Sequence, residues 1–450
     1  MSASRALPTS APAAPRPRSA TRAVTRRAVG VAAGLALVAG PVAILPGTAA
    51  GAAPALLPAA APSTPPSTPP STPPRPASPE ALLRTRLDAR AQSALLKGHL
   101  AGVVLRGDNG SVLWSAGASN AVMPASLTKV ATAVSAYRWL DPNAKLTTKV
   151  VRSPRSRNVV LVGGGDPMLQ ATDLTAMAAA TAASLKKAHR TSAVVVVDDR
   201  LFPAPTNAPG WKGSYVPGEV RPVRSLGVHG REVKDTALDA GNLFAKALKK
   251  QGIKVTAVKR GSAGKGAVTL ASHQSPTIGG LVSRMLLASD NQIAETLFRL
   301  AARASGRPAT WANAKRARDL ALSGLGVRGL SLVDGSGLSR NNRISALAYA
   351  QLLRAASSTP RYRGALNGLP LSGVSGTLAH RYATAPTSCA RGKVSAKTGT
   401  LDDIVGLGGF ARTATGGSDV IVFVRTGTRT SAKAVAGEID KLATGVVGCW

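Results

Sequence analysis

From Pro79 onward the apolar positions fall into short blocks with recognisable periods. "PEALLRTRLDARAQSALL" (79–96) spaces its leucines and charges as a helix does. "LAGVVLRG" and "SVLWSAGA" flank Asp108-Asn109-Gly110, a turn signal that predicts a hairpin. A helix is predicted to begin near Ser126 in "MPASLTKVATAV" (123–134), with Val130, Ala133 and Val134 on its core side. Next come the β-rich runs "LTTKVVRSP", "NVVLVGGGD" and "SAVVVVDD", with one helical pattern among them, "DLTAMAAATAASLKKA". A helix, "DAGNLFAKALKKQG", and a strand, "IKVTAV", lead on to two helical patterns, one carrying Ile278, Leu281, Val282, Met285 and Leu286, the other Ile293, Leu297 and Phe298. The chain closes with three short strand patterns, "KVSAKTGTL", "IVGLGGFAR" and "DVIVFVRTG", and a last helix, "SAKAVAGEIDKLATGVV". Helices ahead of an antiparallel meander that is covered by a final helix predict an α+β fold. The β-rich stretch 141–235 reads as an inserted domain, leaving 80–140 and 236–450 as the main domain.

Upstream of Pro79 the periodicity disappears. Residues 1–79 hold seven arginines, no lysine and no acidic residue. Arg26-Arg27, the apolar run "AVGVAAGLALVAGPVAIL" and the small-residue run "PGTAAGAA" follow in the order of an export signal, with a cut expected after Ala50. The apolar run is also long enough to stay as an uncleaved membrane anchor. Residues 51–79 contain three copies of Ser-Thr-Pro-Pro, a composition that favours extended polyproline II over a packed core and predicts a disordered spacer.

At 450 residues the chain is long enough for more than one domain, and its net charge of +36 predicts an anionic partner. Aromatic residues make up only 3% of it, too few for the stacking platforms of a nucleic-acid binder. For an exported chain the better match is an anionic cell-wall polymer. Cys389 and Cys449 are the only cysteines. Export favours pairing them, and closing that loop would stabilise the fold by roughly 4 kcal/mol on a chain-entropy model; two buried free thiols are the alternative. The five histidines (99, 189, 229, 273, 380) show no paired spacing, so no metal site is expected.

Candidate chemistry starts at Ser126. On a helix, residues three apart share a face, so Lys129 can reach the Ser126 hydroxyl as its base. At the helix start the backbone N–H of Ser126 is also free to stabilise an oxyanion. The motif alone is weak, since Ser184–Lys187 and Ser262–Lys265 repeat it, and a capping serine beside a solvated lysine is the bland reading. Two further segments change the balance. Lys397-Thr398-Gly399-Thr400, on a predicted strand, offers an ammonium, two hydroxyls and a glycine that permits close backbone approach, a set suited to a carboxylate. Ser289-Asp290-Asn291 lies between two buried helical patterns that would hold a hydroxyl and an amide rigidly. Imitations exist at Ser156–Asn158, Ser339–Asn341 and Arg425-Thr426-Gly427-Thr428, but an arginine cannot exchange a proton at neutral pH.

Together, Ser-x-x-Lys, Ser-x-Asn and Lys-Thr-Gly in this order resemble the signatures of penicillin-recognising serine enzymes. "LVGGGDPML" (161–169), "SDNQIAETLFR" (289–299), "DGSGLS" (334–339), "LSGVSGTLAHR" (371–381) and the long gap from Lys129 to Ser289 narrow the likeness. Over residues 80–450 the chain resembles the D-alanyl-D-alanine carboxypeptidase/endopeptidase family, the class C low-molecular-mass penicillin-binding proteins. That resemblance implies a penicillin-binding/serine β-lactamase-like domain interrupted by an insertion, no cofactor, and an extracytoplasmic site of action. It implies peptidoglycan stem peptides ending in D-Ala-D-Ala as substrates and β-lactams as covalent inhibitors. By carry-over, Ser126 is the nucleophile, Lys129 its base, Ser289 a proton shuttle, and Asn291 a substrate and lysine holder. The N–H groups of Ser126 and Thr400 would form the oxyanion hole, and Lys397, Thr398, Gly399 and Thr400 would bind the substrate carboxylate. For Lys129 to act as a base, its reference pKa near 10.4 has to fall by about two units, roughly 3 kcal/mol against the cation. The rivals are a serine β-lactamase, for which no acidic loop between the first two motifs supplies a deacylating base, and a silent wall-binding protein that keeps the fold.

Overall fold

The computed structural model describes residues 78–153, 156–414, 416–427 and 431–450. The expected export signal and most of the spacer lie outside them. Among the described residues no helix is long and apolar enough to cross a membrane.

The main sheet has five antiparallel strands in the order β11-β12-β13-β1-β2. It pairs the hairpin β1 (Leu100–Leu105) and β2 (Val112–Ala116) with the C-terminal meander β11 (Val394–Leu401), β12 (Ile404–Arg412) and β13 (Ser418–Thr426). Alternate residues of a strand face opposite sides, and here both sides are covered. Val103, Val420, Val422 and Val424 enter one core, while Val104, Ile421 and Phe423 enter the other. Burial on both faces accounts for the unbroken apolar run of β13. Helices α1 (Pro79–Ala91) and α10 (Ala432–Val447) cover the second face. The first helix ends at Ala91, short of the predicted Leu96, and the chain continues in turns to β1. A disulfide joins Cys389 to Cys449, with Cα atoms 6.3 Å apart, and ties the C-terminal end to a turn just ahead of β11.

The first face carries the helical layer: α2 (Thr128–Trp139), α5 (Ile278–Ala288), α6 (Asn291–Ala304), α7 (Trp311–Ser323), α8 (Ala346–Ser358) and the single turn α9 (Pro360–Arg363). Helix α2 is buried from Thr128 to Tyr137. A helix wrapped on all sides needs small or apolar residues all round, which "VATAVSA" supplies. A small sheet of β3 (Ala121–Val122), β10 (Arg343–Ser345) and β9 (Leu330–Ser331) braces this layer.

The insertion is larger than its sequence pattern predicts. Its sheet runs β7-β6-β5-β4-β8 and is built from β4 (Lys145–Arg152), β5 (Asn158–Val162), β6 (Ser192–Asp198), β7 (Lys254–Arg260) and β8 (Val268–Thr277). The sheet therefore reaches Thr277, past the predicted boundary at 235, and segment 236–277 belongs with it. The cause is topological. Strands β5, β6 and β7 are parallel, so each pair needs a crossover helix; these are α3 (Ala171–Lys187) and α4 (Thr236–Lys250), which share one core with the sheet. The helix and strand that seem to resume the main pattern complete the second crossover. Strand β8 then pairs antiparallel with β4 and feeds directly into α5.

Candidate active site

Ser126 sits in a 3₁₀ turn, Ala125–Leu127, that leads into α2. The turn is tight: Ala125 has φ 48°, a left-handed backbone that side chains seldom adopt. Ser126 is half-buried, whereas Lys129 one turn later is fully buried. The Lys129 amine lies 2.9 Å from Ser126 Oγ, 2.7 Å from Asn291 Oδ1 and 2.8 Å from the Ser336 carbonyl oxygen. Two of these partners can only accept. A neutral amine that donates its two N–H groups to them keeps its lone pair for the Ser126 hydroxyl, the orientation a base requires. Burial pulls Lys129 down from 10.5 to about 8, against the opposing pull of Asp334, Glu295, Asp290 and Glu219.

Ser289 and Asn291 owe their positions to the junction of two helices. Ser289 ends α5 in the left-handed conformation, φ 58°, and its N–H bonds back to Met285. Asp290 caps α6 by accepting from the Ile293 N–H at 2.8 Å. A non-glycine residue held left-handed costs on the order of 1 kcal/mol, and the two flanking helices maintain it. Opposite them, Lys397 on β11 is fully buried and donates to Ser289 Oγ and to the Thr398 carbonyl, each at 2.9 Å. Burial, and then repulsion from Lys129, push Lys397 well below the ordinary lysine range. Gly399 is where β11 meets the nucleophile turn: a Cβ there would stand 2.8 Å from the Pro124 carbonyl. Thr398 exchanges a 2.8 Å hydrogen bond with Thr377, and Thr400 is exposed.

The sequence-selected side chains of Ser126, Lys129, Ser289, Asn291 and Lys397 thus converge, in two linked serine–lysine pairs. Two of the imitations bond elsewhere. Ser184 bonds within its own helix, to the Ala180 carbonyl at 3.1 Å, and Ser339 donates to Pro209. Cys389 and Cys449 stand outside the set as a structural tie.

A third wall is the loop Asp334-Gly335-Ser336-Gly337, to which the sequence motifs assign a family likeness but no place in the site. The Asp334 carboxylate accepts from the N–H groups of Gly337 and Ser339, from Asn342 Nδ2 at 2.7 Å and from Trp211 Nε1 at 2.8 Å. Gly337 has φ 91°, and a Cβ there would fall on the Ala125 carbonyl, so only glycine lets this loop meet the Ser126 turn. Its signal was the glycine spacing in "DGSGLS". The stretch after β6 also contributes, since the Glu219 carbonyl accepts from Asn291 Nδ2 at 3.0 Å. A cleft of about 250 Å³ opens there, lined by Glu219, Arg221, His229, Glu232 and Asn291 among others.

Residues 83–216 and 215–446 match the model of the D-Ala-D-Ala carboxypeptidase 3 (S13) family. The chain belongs to this family. As a member it is a serine-type D-Ala-D-Ala carboxypeptidase, a hydrolase. It is 35% identical over 338 residues to carboxypeptidase DacB of Mycolicibacterium smegmatis, spanning 70% of this chain and 73% of that one. It is 29% identical over 431 residues to a D-alanyl-D-alanine carboxypeptidase of Actinomadura, spanning 73% and 78%. Penicillin-binding protein 4 of Haemophilus influenzae shares the fold, with a TM-score of 0.68 at 22% identity over 80% of this chain and 99% of that one. The penicillin-binding, β-lactamase-like α+β fold expected from the motifs is the one observed.

Proposed function

We propose that this family member is an exported enzyme that trims or cleaves peptidoglycan stem peptides through an acyl-enzyme on Ser126, and that β-lactams acylate the same oxygen. One observation carries the reading: the buried Lys129 amine stands 2.9 Å from Ser126 Oγ, with both of its other directions taken by acceptors. Lys129 takes the hydroxyl proton as Oγ attacks the carbonyl of the terminal D-Ala-D-Ala bond. The N–H groups of Ser126 and Thr400 receive the oxyanion. Ser289, held by Lys397, relays the proton taken by Lys129 to the departing amine, and water then adds its hydroxyl to the acyl carbon and its proton to Ser126 Oγ, releasing the shortened peptide.

Lys397 and Lys129 compete for charge. A substrate carboxylate arriving at Thr398, Gly399 and Thr400 favours a cationic Lys397, and a cation there disfavours a second one on Lys129. Substrate entry therefore helps make the base. The named activity of the Actinomadura relative agrees with this reading, as does the β-lactam complex of the Haemophilus structure, in that protein. The basic surface and the leader point to action outside the cytoplasm, among anionic wall polymers.

The test is intact-mass measurement after incubation with penicillin, in the parent and in Ser126→Ala. A single adduct is expected in the parent and none in the variant; an adduct retained by Ser126→Ala rejects the assignment. Incubation with a pentapeptide and with a cross-linked muropeptide dimer then weighs carboxypeptidase against endopeptidase action.

A further inference from the structure

Glu295 is a fully buried acid to which the steps above give no task. It lies one turn after Asn291 on α6, inside a chain that holds only 21 acidic residues against 57 basic ones. Its Oε1 accepts from the Gly335 N–H at 3.0 Å and the Ser336 N–H at 2.7 Å, and Oε2 is 3.1 Å from the Gly335 nitrogen. Each of these contacts is made to a donor, which suits an ionised carboxylate. The two anchored N–H groups are those of Gly335 and Ser336, and the carbonyl of Ser336, in the next peptide group along, accepts from Lys129. Glu295, the Ser336 backbone and the Lys129 amine therefore form one hydrogen-bonded chain ending at Ser126.

We propose that Glu295 is the positioning residue of Lys129: its buried carboxylate fixes the loop whose carbonyl aims the amine, and its charge opposes release of the Lys129 proton. The charged groups that face it are Lys129 from α2, Asp334 from the loop, Arg318 from α7, and Arg299 on its own helix. Arg318 donates to the Asp334 and Leu332 carbonyls and Arg299 to the Ala309 carbonyl, so both cations spend hydrogen bonds elsewhere. Burial pushes Glu295 up to about 8, and its carboxylate in turn holds Lys129 higher than burial alone would leave it. The catalytic meaning of this device rests on Lys129 being the base for Ser126; the device itself can be read without any turnover.

The decisive variant is Glu295→Gln, which keeps an acceptor oxygen for both N–H groups and removes the charge. Lys129 is followed by NMR of ¹³C-labelled lysine, its resonance assigned by its loss in Lys129→Met. A neighbouring unit charge lost at an effective dielectric near 20 moves a titration midpoint by about one pH unit, so the Lys129 midpoint in Glu295→Gln is expected about one unit lower. Identical midpoints overturn the electrostatic role, whether or not the protein binds penicillin. The acid limb of the penicillin acylation rate is expected to move down in parallel. Glu295→Ala, which frees the loop, is expected to lower the plateau of that rate about 100-fold through misplacement of the amine. A plateau equal to the parent's in a folded Glu295→Ala overturns the anchoring role; if that variant does not fold, the Glu295→Gln midpoint still decides.

Discussion

Replacing Lys129 with methionine removes the ammonium and leaves a flexible side chain of similar length in the same volume. Acylation by penicillin should fall by at least about a thousandfold, since serine left without its base is a weak nucleophile. The stability change tells more. Lys129 is fully buried and lowered from 10.5 to about 8, a gap equal to roughly 3 kcal/mol at 1.36 kcal/mol per pH unit. The sign follows from proton counting. Below about pH 8 the lysine is charged in both the folded and the unfolded chain, and the full burial penalty applies. Between about 8 and 10.5 the unfolded chain keeps a proton that the folded one has lost, so stability rises with pH. Methionine has no such proton. It also leaves Asn291 Oδ1 and the Ser336 carbonyl without the amine, at about 1–3 kcal/mol each, but that loss is insensitive to pH. Urea titrations of parent and variant at pH 7.5, 9 and 10.5 separate the two contributions. The parent should gain roughly 3 kcal/mol on the variant across the series. Parallel curves would refute the depressed lysine, and with it the claim that burial prepares the base.

Other perturbations have equally definite outcomes. The rate of penicillin acylation should climb with pH through about 8, where Lys129 loses its proton; a rate flat from pH 6 to 9 would deny the lysine its part. Gly337→Ala forces a side chain onto the Ala125 carbonyl from a left-handed backbone, and should cost about 2–4 kcal/mol together with about 100-fold in acylation. Normal melting and labelling in that variant would show that the two turns do not need their close contact. Cys389→Ser opens a cross-link spanning 60 residues and should lower stability by roughly 4 kcal/mol. Acylation measured well below the melting point should stay near the parent rate, because the bond lies outside the catalytic hydrogen-bond set.

The sequence foretold which side chains would meet more fully than it foretold where the insertion ends. In the proposed mechanism Ser126, Lys129, Ser289, Asn291 and Lys397 act through side chains, and short motifs report side chains at fixed spacing. Their convergence was legible because each segment also carried its own placement signal: an apolar helix after Ser126, two buried helical patterns around Ser289 and Asn291, and a glycine near Lys397 that permits close approach. The end of the insertion was not legible. A strand such as "IKVTAV" looks the same whether it joins one sheet or another. Its partner β6 lies about 60 residues upstream in the pairing of Ser192 with Lys254, and a parallel partner leaves no turn signal between the strands.

A different kind of gap concerns the 334–337 loop. It serves Lys129 through a peptide carbonyl, and every residue has one, so no side-chain pattern marks that acceptor. What the sequence does carry is the cost of putting a backbone there. Gly337 takes a left-handed turn against Ala125, Asp334 gathers the loop's N–H groups, and Glu295 waits one helical turn beyond Asn291 to hold the remaining two. In this chain the acid beside Gly335 and the buried acid four residues after Asn291 thus both hold the backbone whose carbonyl meets Lys129. "DGSG" and "NQIAE" therefore belong to the setting of Lys129 as much as Ser-x-x-Lys does, because a lysine is aimed only as well as the oxygens that receive its protons.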